Sequence, residues 1–270
     1  MNATKYIIID TLEGRAGLGN VLFSIAACFD YAKKTNRKII FLEKNDLKTW
    51  RSPNDPPVSE LFPNIKKYHV FITLGKFIDR IKCNNYKYEE IRNSNYTFVK
   101  LENYTQSPKY FENSKDEIRQ LKNYLPKPNF ELDYTNLAFI HIRRTDFALY
   151  PDYNTDKTNY WIKSVKDLVS KYPEVKIIIL SDDLEWSNKN IPEIVGHEYN
   201  WIFLPRQTTA METLYIMTEC KIGCISANST LSWWGCWLTP NREVYMPVPW
   251  FKSTPEDLEL YYEGVNKIHI

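Results

Sequence analysis

The sequence predicts an α/β protein of two Rossmann-like halves, residues 1–132 and 133–270, facing a central cleft. Three observations predict it. Residues 5–43 carry an apolar run, a glycine loop, a helical pattern and a second apolar run, in that order. A second alternation of short apolar runs and amphipathic stretches begins at residue 137. Between the two lies a stretch rich in Asn, Lys, Tyr and Pro with little periodicity. Strands alternating with helical patterns argue for parallel sheets covered by helices, whose ligands bind beyond the carboxyl ends of the strands.

In chain order, "KYIIID" (5–10) reads as a buried strand and "GRAGLGN" (14–20) as a glycine loop. Leu22, Ile25, Ala26 and Phe29 recur at helical spacing before the strand "RKIIFLE" (37–43). Residues 44–130, with "RSPNDPP", "NNYKYEE", "NSNYT" and the start of "LPKPNFELD", are the least legible part. The second series opens with the strand "LAFIHI" (137–142), then a helix over 160–172 carrying Trp161, Val165, Leu168 and Tyr172. The strand "VKIIIL" (175–180) runs into Ser181, Asp182 and Asp183. A helix near 210–220 with Met211, Leu214, Tyr215 and Thr218 precedes a short strand "IGCI" (222–225). "SANST" (226–230) then leads into a helical "LSWWGCWL" closed by Pro240, and a strand "REVYMP" and an acidic helix near 255–262 are expected to finish the chain.

Composition narrows the function. Lys+Arg 35 against Asp+Glu 33 gives a formal charge of +2, too balanced for a nucleic-acid or membrane surface, so any anion site is local. No apolar run approaches the roughly 18–20 residues of a membrane span, and "MNATK" leads into a strand and not a signal peptide. A cytoplasmic protein with no transmembrane segment and no nucleic-acid partner is expected. Cys28, Cys83, Cys220, Cys224 and Cys236 are an odd number without zinc-type pairing, which suits reduced thiols. Sequons at Asn2, Asn95, Asn103 and Asn228 are then silent.

Four stretches carry candidate chemistry. In "GRAGLGN", Gly14, Gly17 and Gly19 stand where backbone turns tightly and approaches a ligand. The spacing is G-x-x-G-x-G and not the dinucleotide G-x-G-x-x-G, although Glu43 ends the next strand as a ribose-binding acid would. The plainer alternative is a tight turn with Asn20 capping the helix. In "HIRRTDF" (141–147), two guanidiniums at a strand's carboxyl end suit phosphate oxygens, against an internal pairing with Asp146. Adjacent residues point to opposite faces, so one arginine would meet ligand while the other braces the loop through Asp146. In "SANST", Ser226, Asn228, Ser229 and Thr230 offer caps and donors at a helix start, itself an anion site; Trp233 and Trp237 are read as core. Asp182 and Asp183 accept from a nucleotide, bind a metal or cap the next helix; with no D-x-D pattern, metal is disfavoured.

The ordered set "GRAGLGNVLFSIA", "HIRRTDF", "SDDLEW", "ETLYIMTECKIGCISANSTLSWWGCWL" and "MPVPW" resembles the α-1,2-fucosyltransferase family, glycosyltransferase family 11. The resemblance spans nearly the whole chain. It implies a GT-B fold and transfer of L-fucose, with inversion, from GDP-β-L-fucose to the 2-hydroxyl of a terminal galactose on a glycan acceptor, with no cofactor and no metal. The first half would take the acceptor and the second the donor. Carried over by position, Arg143 holds the β-phosphate, with Arg144 as a second contact or a brace. His141 and Asp183 approach the guanosine, and Asn228, Ser229 and Thr230, beside Ser226, bind the diphosphate. Gly17, Gly19 and Asn20 shape the cleft from the other half. The family commonly has G-G-L-G-N-Q where this chain has Ala16-Gly17-Leu18-Gly19-Asn20-Val21, and Gly where it has Thr145. Lys-, Asn- and Ile-rich composition looks more like a bacterial or viral member than an animal one.

The chemistry is consistent with that resemblance. As the sugar C1–O bond breaks, charge grows on the leaving phosphate, and a fixed guanidinium stabilises it by an amount comparable to an oxyanion-hole donor, about 3–4 kcal/mol. Asp146 is the candidate base. Two other classes stay open: a sugar-nucleotide-binding protein of the same fold without turnover, and an NAD-dependent oxidoreductase using Glu43.

Overall fold

The computed structural model describes residues 4–10, 16–43, 54–69, 77–255 and 258–270. It forms two units, Met1–Leu125 with Glu256–Leu260 and Pro126–Pro255 with Tyr261–Ile270. The junction falls at Leu125 and Pro126, ahead of the expected 132/133, and a short late segment returns to the first unit.

The first unit holds β1 (Tyr6–Asp10), α1 (Leu18–Thr35), β2 (Lys38–Glu43), β3 (Lys66–His69), β4 (Ile78–Lys82), β5 (Phe98–Glu102) and α2 (Lys115–Arg119). Its sheet runs β3-β2-β1-β5-β4 with every pair parallel. Ile7, Ile8 and Ile9 are all buried, which is why β1 reads as an unbroken apolar run: a parallel strand is covered on both faces. Leu22, Phe23, Ile25 and Ala26 form the buried stripe of α1. The helix stops at Asn36, in the left-handed region at φ 51°, whose N–H caps Ala32 O. Glu43 closes β2, but its side chain lies outside the described residues, as does Gly14.

β3, β4 and β5 leave little pattern in the sequence because all three are short and β4 and β5 are only half-buried, in a region punctuated by turn residues. Buried Arg37 stitches this region together, donating to the carbonyls of Tyr96 (2.9 Å) and Ser94 (2.5 Å). The late segment brings Glu259, whose carboxylate accepts from Tyr88 N and Ser107 Oγ (both 2.7 Å) and pairs with Lys109 (2.8 Å). The acidic helix expected over 255–262 is therefore corrected: residues 258–262 are not helical, because the acid there is a pairing group and not one face of a solvated helix.

The second unit contains β6 (Leu137–Ile142), α3 (Thr158–Lys171), β7 (Lys176–Ser181), α4 (Leu184–Val195), β8 (Trp201–Ile202), α5 (Ala210–Glu219), β9 (Gly223–Ile225), α6 (Thr230–Trp237), β10 (Glu243–Val248) and β11 (Val265–His269). The sheet order is β11-β10-β9-β6-β7-β8, again parallel throughout. The chain lays down β6, β7 and β8 outward in one direction, then returns to place β9 on the other side of β6. This is the doubly wound Rossmann order, and its direction reverses between β6 and β9.

Ala138, Ile140 and Ile142 pack against Tyr160, Val165 and Leu168 of α3 and Ile191 of α4. Alternation puts Phe139 and His141 on the opposite face. Helix α5 starts on a capping box, with Thr209 Oγ1 accepting from Glu212 N (3.2 Å) and the Glu212 carboxylate from Thr209 N (3.0 Å). Helix α4, with Pro192 inside it, is the helix that Asp183 was expected to cap, while the edge strands β8 and β11 carry too little pattern to read from sequence. No helix among the described residues is long and apolar enough to cross a membrane.

Candidate active site

The reversal between β6 and β9 brings "HIRRTDF" and "SANST" to the carboxyl ends of adjacent strands, with Ile140 opposite Ile225. On the other side of β6, Ile142 pairs with Ser181, so Asp182 and Asp183 leave the sheet beside Arg143 and Arg144. Three sequence-predicted motifs thus meet at the place where a doubly wound sheet opens a crevice.

Arg143 is the centre of the first cluster. Its guanidinium reaches Asp146 Oδ1 at 2.8 Å and Asp182 Oδ2 at 3.1 Å, and lies over the Phe147 ring with its carbon 5.6 Å from the centroid. Asp182 also accepts from Arg144 N (2.8 Å), Thr145 N (3.2 Å) and the Thr145 hydroxyl. Burial alone would raise its pKa, but the Arg143 charge and these donors hold the carboxyl below its ordinary value. Arg144 turns away: Nε donates to Asp183 Oδ2 (3.1 Å) and the guanidinium stacks on Trp186 at 3.6 Å.

This corrects the expected brace. Asp146 pairs with Arg143 and not with Arg144, because β6 ends at Ile142 and the turn behind it brings residues three apart onto one side. Asp146 is thus committed to the Arg143 guanidinium. Asp183 is likewise committed, since Oδ1 accepts from Trp186 N (3.3 Å) as the cap of α4 while Oδ2 holds Arg144.

His141, on the last turn of strand before the arginines, is 3% exposed, and its Nδ1 has no hydrogen-bond partner. Burial pushes the imidazole down to about 4, assisted by Arg143 and opposed by Asp182. It is neutral at physiological pH. A group whose folded pKa lies below its unfolded value of 6.5 costs stability on acidification, because the unfolded chain binds the proton first. Stability is therefore expected to fall as pH drops from 6.5 toward 4, by up to about 1.4 kcal/mol per pH unit from this group. Urea unfolding across that window should show a smaller slope for His141→Phe; an equal slope would remove His141 as the cause.

The second cluster follows β9. Ser226 is fully buried, with Oγ 2.7 Å from Ala227 O and 2.9 Å from Ser232 Oγ. Its expected role as a ligand donor is corrected: the hydroxyl is consumed in shaping the turn, and Tyr160 OH donates to its carbonyl at 2.7 Å. Asn228 is 2% exposed; Nδ2 donates to Tyr153 O at 3.4 Å and Oδ1 has no partner. Ser229 is the N-cap of α6 in extended backbone, and no side chain caps the helix. The first-turn amides, beside the half-buried Ser229 and Thr230, therefore have no side-chain cap. Trp233 and Trp234 are fully buried and meet edge to face at 5.2 Å, with Trp237 stacked on Trp233, so these rings are core, as expected.

In the first unit, Gly17 is the N-cap of α1 and Gly19 is buried inside it. Asn20 is a helical residue, not the cap, and its Oδ1 accepts from Gln106 Nε2 at 3.0 Å. Sequence reasoning missed Tyr160 and Trp186; the one legible signal for Tyr160 was a polar tip on the apolar stripe of α3.

The sequence profile described as Glycosyl transferase family 11 matches residues 61–258, which take in both clusters. The chain belongs to glycosyltransferase family 11. This family 11 protein is 25% identical to the alpha-1,2-colitosyltransferase of Escherichia coli, over 91% of this chain and 93% of that one. It is 23% identical, over 90% of this chain and 72% of the relative, to svh-11 of Caenorhabditis elegans, whose name provisionally makes it a galactoside 2-alpha-L-fucosyltransferase. Among solved structures, the fucosyltransferase NodZ from Bradyrhizobium is a loose likeness, with a TM-score of 0.48 and 12% identity over 88% of this chain and 94% of that one. The family 11 protein is thus a glycosyltransferase with two parallel-sheet α/β halves, and its second half carries a cluster of cationic and helix-terminal donors.

Proposed function

We propose that this family 11 enzyme transfers L-fucose, with inversion, from GDP-β-L-fucose to the 2-hydroxyl of a terminal galactose on a glycan acceptor. The observation that carries the reading is that Arg143 and the uncapped start of α6 follow the carboxyl ends of the neighbouring strands β6 and β9. As the bond from fucose C1 to the β-phosphate oxygen breaks, the leaving diphosphate gains charge, and Arg143, pinned by Asp146 and Asp182, stabilises that charge without reorganising. Asn228, Ser229, Thr230 and the first-turn amides take the other phosphate oxygens. His141, neutral and buried beside the arginine, has an unpartnered nitrogen for the nucleoside side of the donor. The electrostatic work in this reading falls to arginine and helix dipole, so no metal is required. A cytoplasmic location accords with five free, buried cysteines.

The donor sugar is where the named relatives differ. Colitose is L-fucose without its 3-hydroxyl, and one relative carries it in its name. The test offers GDP-fucose and GDP-colitose in parallel to galactose-terminated oligosaccharides and follows GDP release, with the linkage assigned by NMR. A 2-linked fucosyl product formed equally well with EDTA is expected. A product linked elsewhere sinks the regiochemistry, a preference for GDP-colitose the donor, and rescue of an EDTA-treated enzyme by a divalent ion the metal independence. GDP binding without any product would leave a binding protein of the same fold.

A further inference from the structure

Lys157 breaks a local rule. It stands immediately before α3 as its N-cap and makes no side-chain cap hydrogen bond, where the helix dipole disfavours a cation. It is also 8% exposed. Its Nζ donates to two carbonyl oxygens, Tyr153 O and Thr155 O, both at 3.2 Å, and among the described residues no carboxylate pairs with it. The adjacent Asp156 is exposed and directs its Oδ1 to Thr158 N at 2.9 Å. Burial lowers the Lys157 ammonium to about 8, with Asp156 opposing. Buried charges are ordinarily paired, and a buried ammonium that meets only carbonyl oxygens, with no carboxylate, points to function.

Its position suggests the missing partner. Tyr153 O accepts both from Lys157 and from Asn228 Nδ2, the residue just before the α6 cap, so a single carbonyl ties the lysine to the uncapped helix start. The same tyrosine ring stacks on Phe147 at 4.8 Å, and Phe147 carries Arg143 over its other contacts. One loop, the first βα turn of this Rossmann unit, therefore links Arg143, Lys157 and the start of α6. All three are positive, and no anion lies among their protein partners at Lys157 or at the helix. Asn228, 2% exposed, adds an Oδ1 without a partner at the same place.

We infer that Lys157 is a second cationic contact for the diphosphate of the sugar nucleotide. Two of its N–H groups hold the Tyr153–Thr155 turn and the third donates to a non-bridging oxygen of the β-phosphate. This rests on the donor reading above, and the experiment separates the two. Calorimetric titration with GDP and with GMP is compared for the wild type, Lys157→Met and Lys157→Gln, each checked for folding by thermal melt. The neutral variants should lose about tenfold or more in GDP affinity and change little toward GMP, which lacks the second phosphate. A folded variant that binds GDP as the wild type does overturns the role of Lys157 and leaves the donor reading standing; a wild type that does not bind GDP removes the donor reading itself. Should neither variant fold, acetic anhydride labelling of the wild type decides. GDP, more than GMP, should protect Lys157 from acetylation read by mass spectrometry, and equal labelling with and without GDP overturns the inference.

Discussion

Arg143→Lys is expected to lower kcat by about 10²–10³-fold at saturating donor while leaving the thermal midpoint within a few degrees. The variant keeps the charge, so the loss measures geometry. Arginine's planar fork serves two carboxylates on separate nitrogens, Asp146 on one and Asp182 on the other, and still has N–H groups to present to a phosphate. A lysine ammonium has three donors on a flexible stem and cannot hold that three-way arrangement. The residue lies beyond the end of β6 with its side chain 19% exposed, so little core packing is at stake. The cost in transition-state stabilisation is about 2.7–4 kcal/mol, the range for removing one preorganised donor. Near wild-type turnover in a stopped GDP-release assay would take Arg143 out of the mechanism.

The second large effect is on stability. Gly235→Ala is expected to destabilise the fold by about 1–3 kcal/mol, because α6 has no room for a methyl group there. An added Cβ would press on Met217 Sδ, which can swing aside, and would stand 2.8 Å from Met217 Cβ, which moves only with the α5 backbone. Arg242 locks the same junction, donating to the carbonyls of Met217 (2.6 Å), Cys220 and Gly235. The helices must then separate, and the start of α6 moves with them, so GDP affinity should fall together with the melting temperature. Scanning calorimetry should show a drop of several degrees; a midpoint within one degree of the wild type would mean that α5 and α6 yield without strain.

How much of this was legible depended on what the residues had to declare locally. The strands β1, β2, β6 and β7 announced themselves because parallel strands buried on both faces are unbroken apolar runs, and α3 and α5 because their buried residues recur at helical spacing. β8, with two residues, and β11, half-exposed on a sheet edge, have too little pattern to separate from loop. The Arg143 and "SANST" stretches stood out for different reasons, a charge at a buried strand end that needs a partner and a run of small hydroxyl and amide side chains at a helix start. That Asp182 serves Arg143 and Asp183 serves Arg144 was not legible, since it depends on how β6 and β7 are registered, Ile142 against Ser181. Lys157 was silent for a related reason: nothing in "NTDKTNY" says that its lysine is buried.

The return of Glu256–Leu260 to the first unit bears on protein engineering. Glu259 satisfies Tyr88 N, Ser107 and Lys109, while β11 is laid on the second sheet only after that excursion. Neither half is therefore a continuous cassette. A chimaera that borrows donor specificity by joining a foreign second half at Leu125 would import a mismatched plug for its own first half, and truncation at Pro255 would remove an edge strand from one sheet and, from the other half, the one carboxylate that three donors share. A workable graft needs three seams, at 125/126, 255/256 and 260/261, with the native five-residue plug retained.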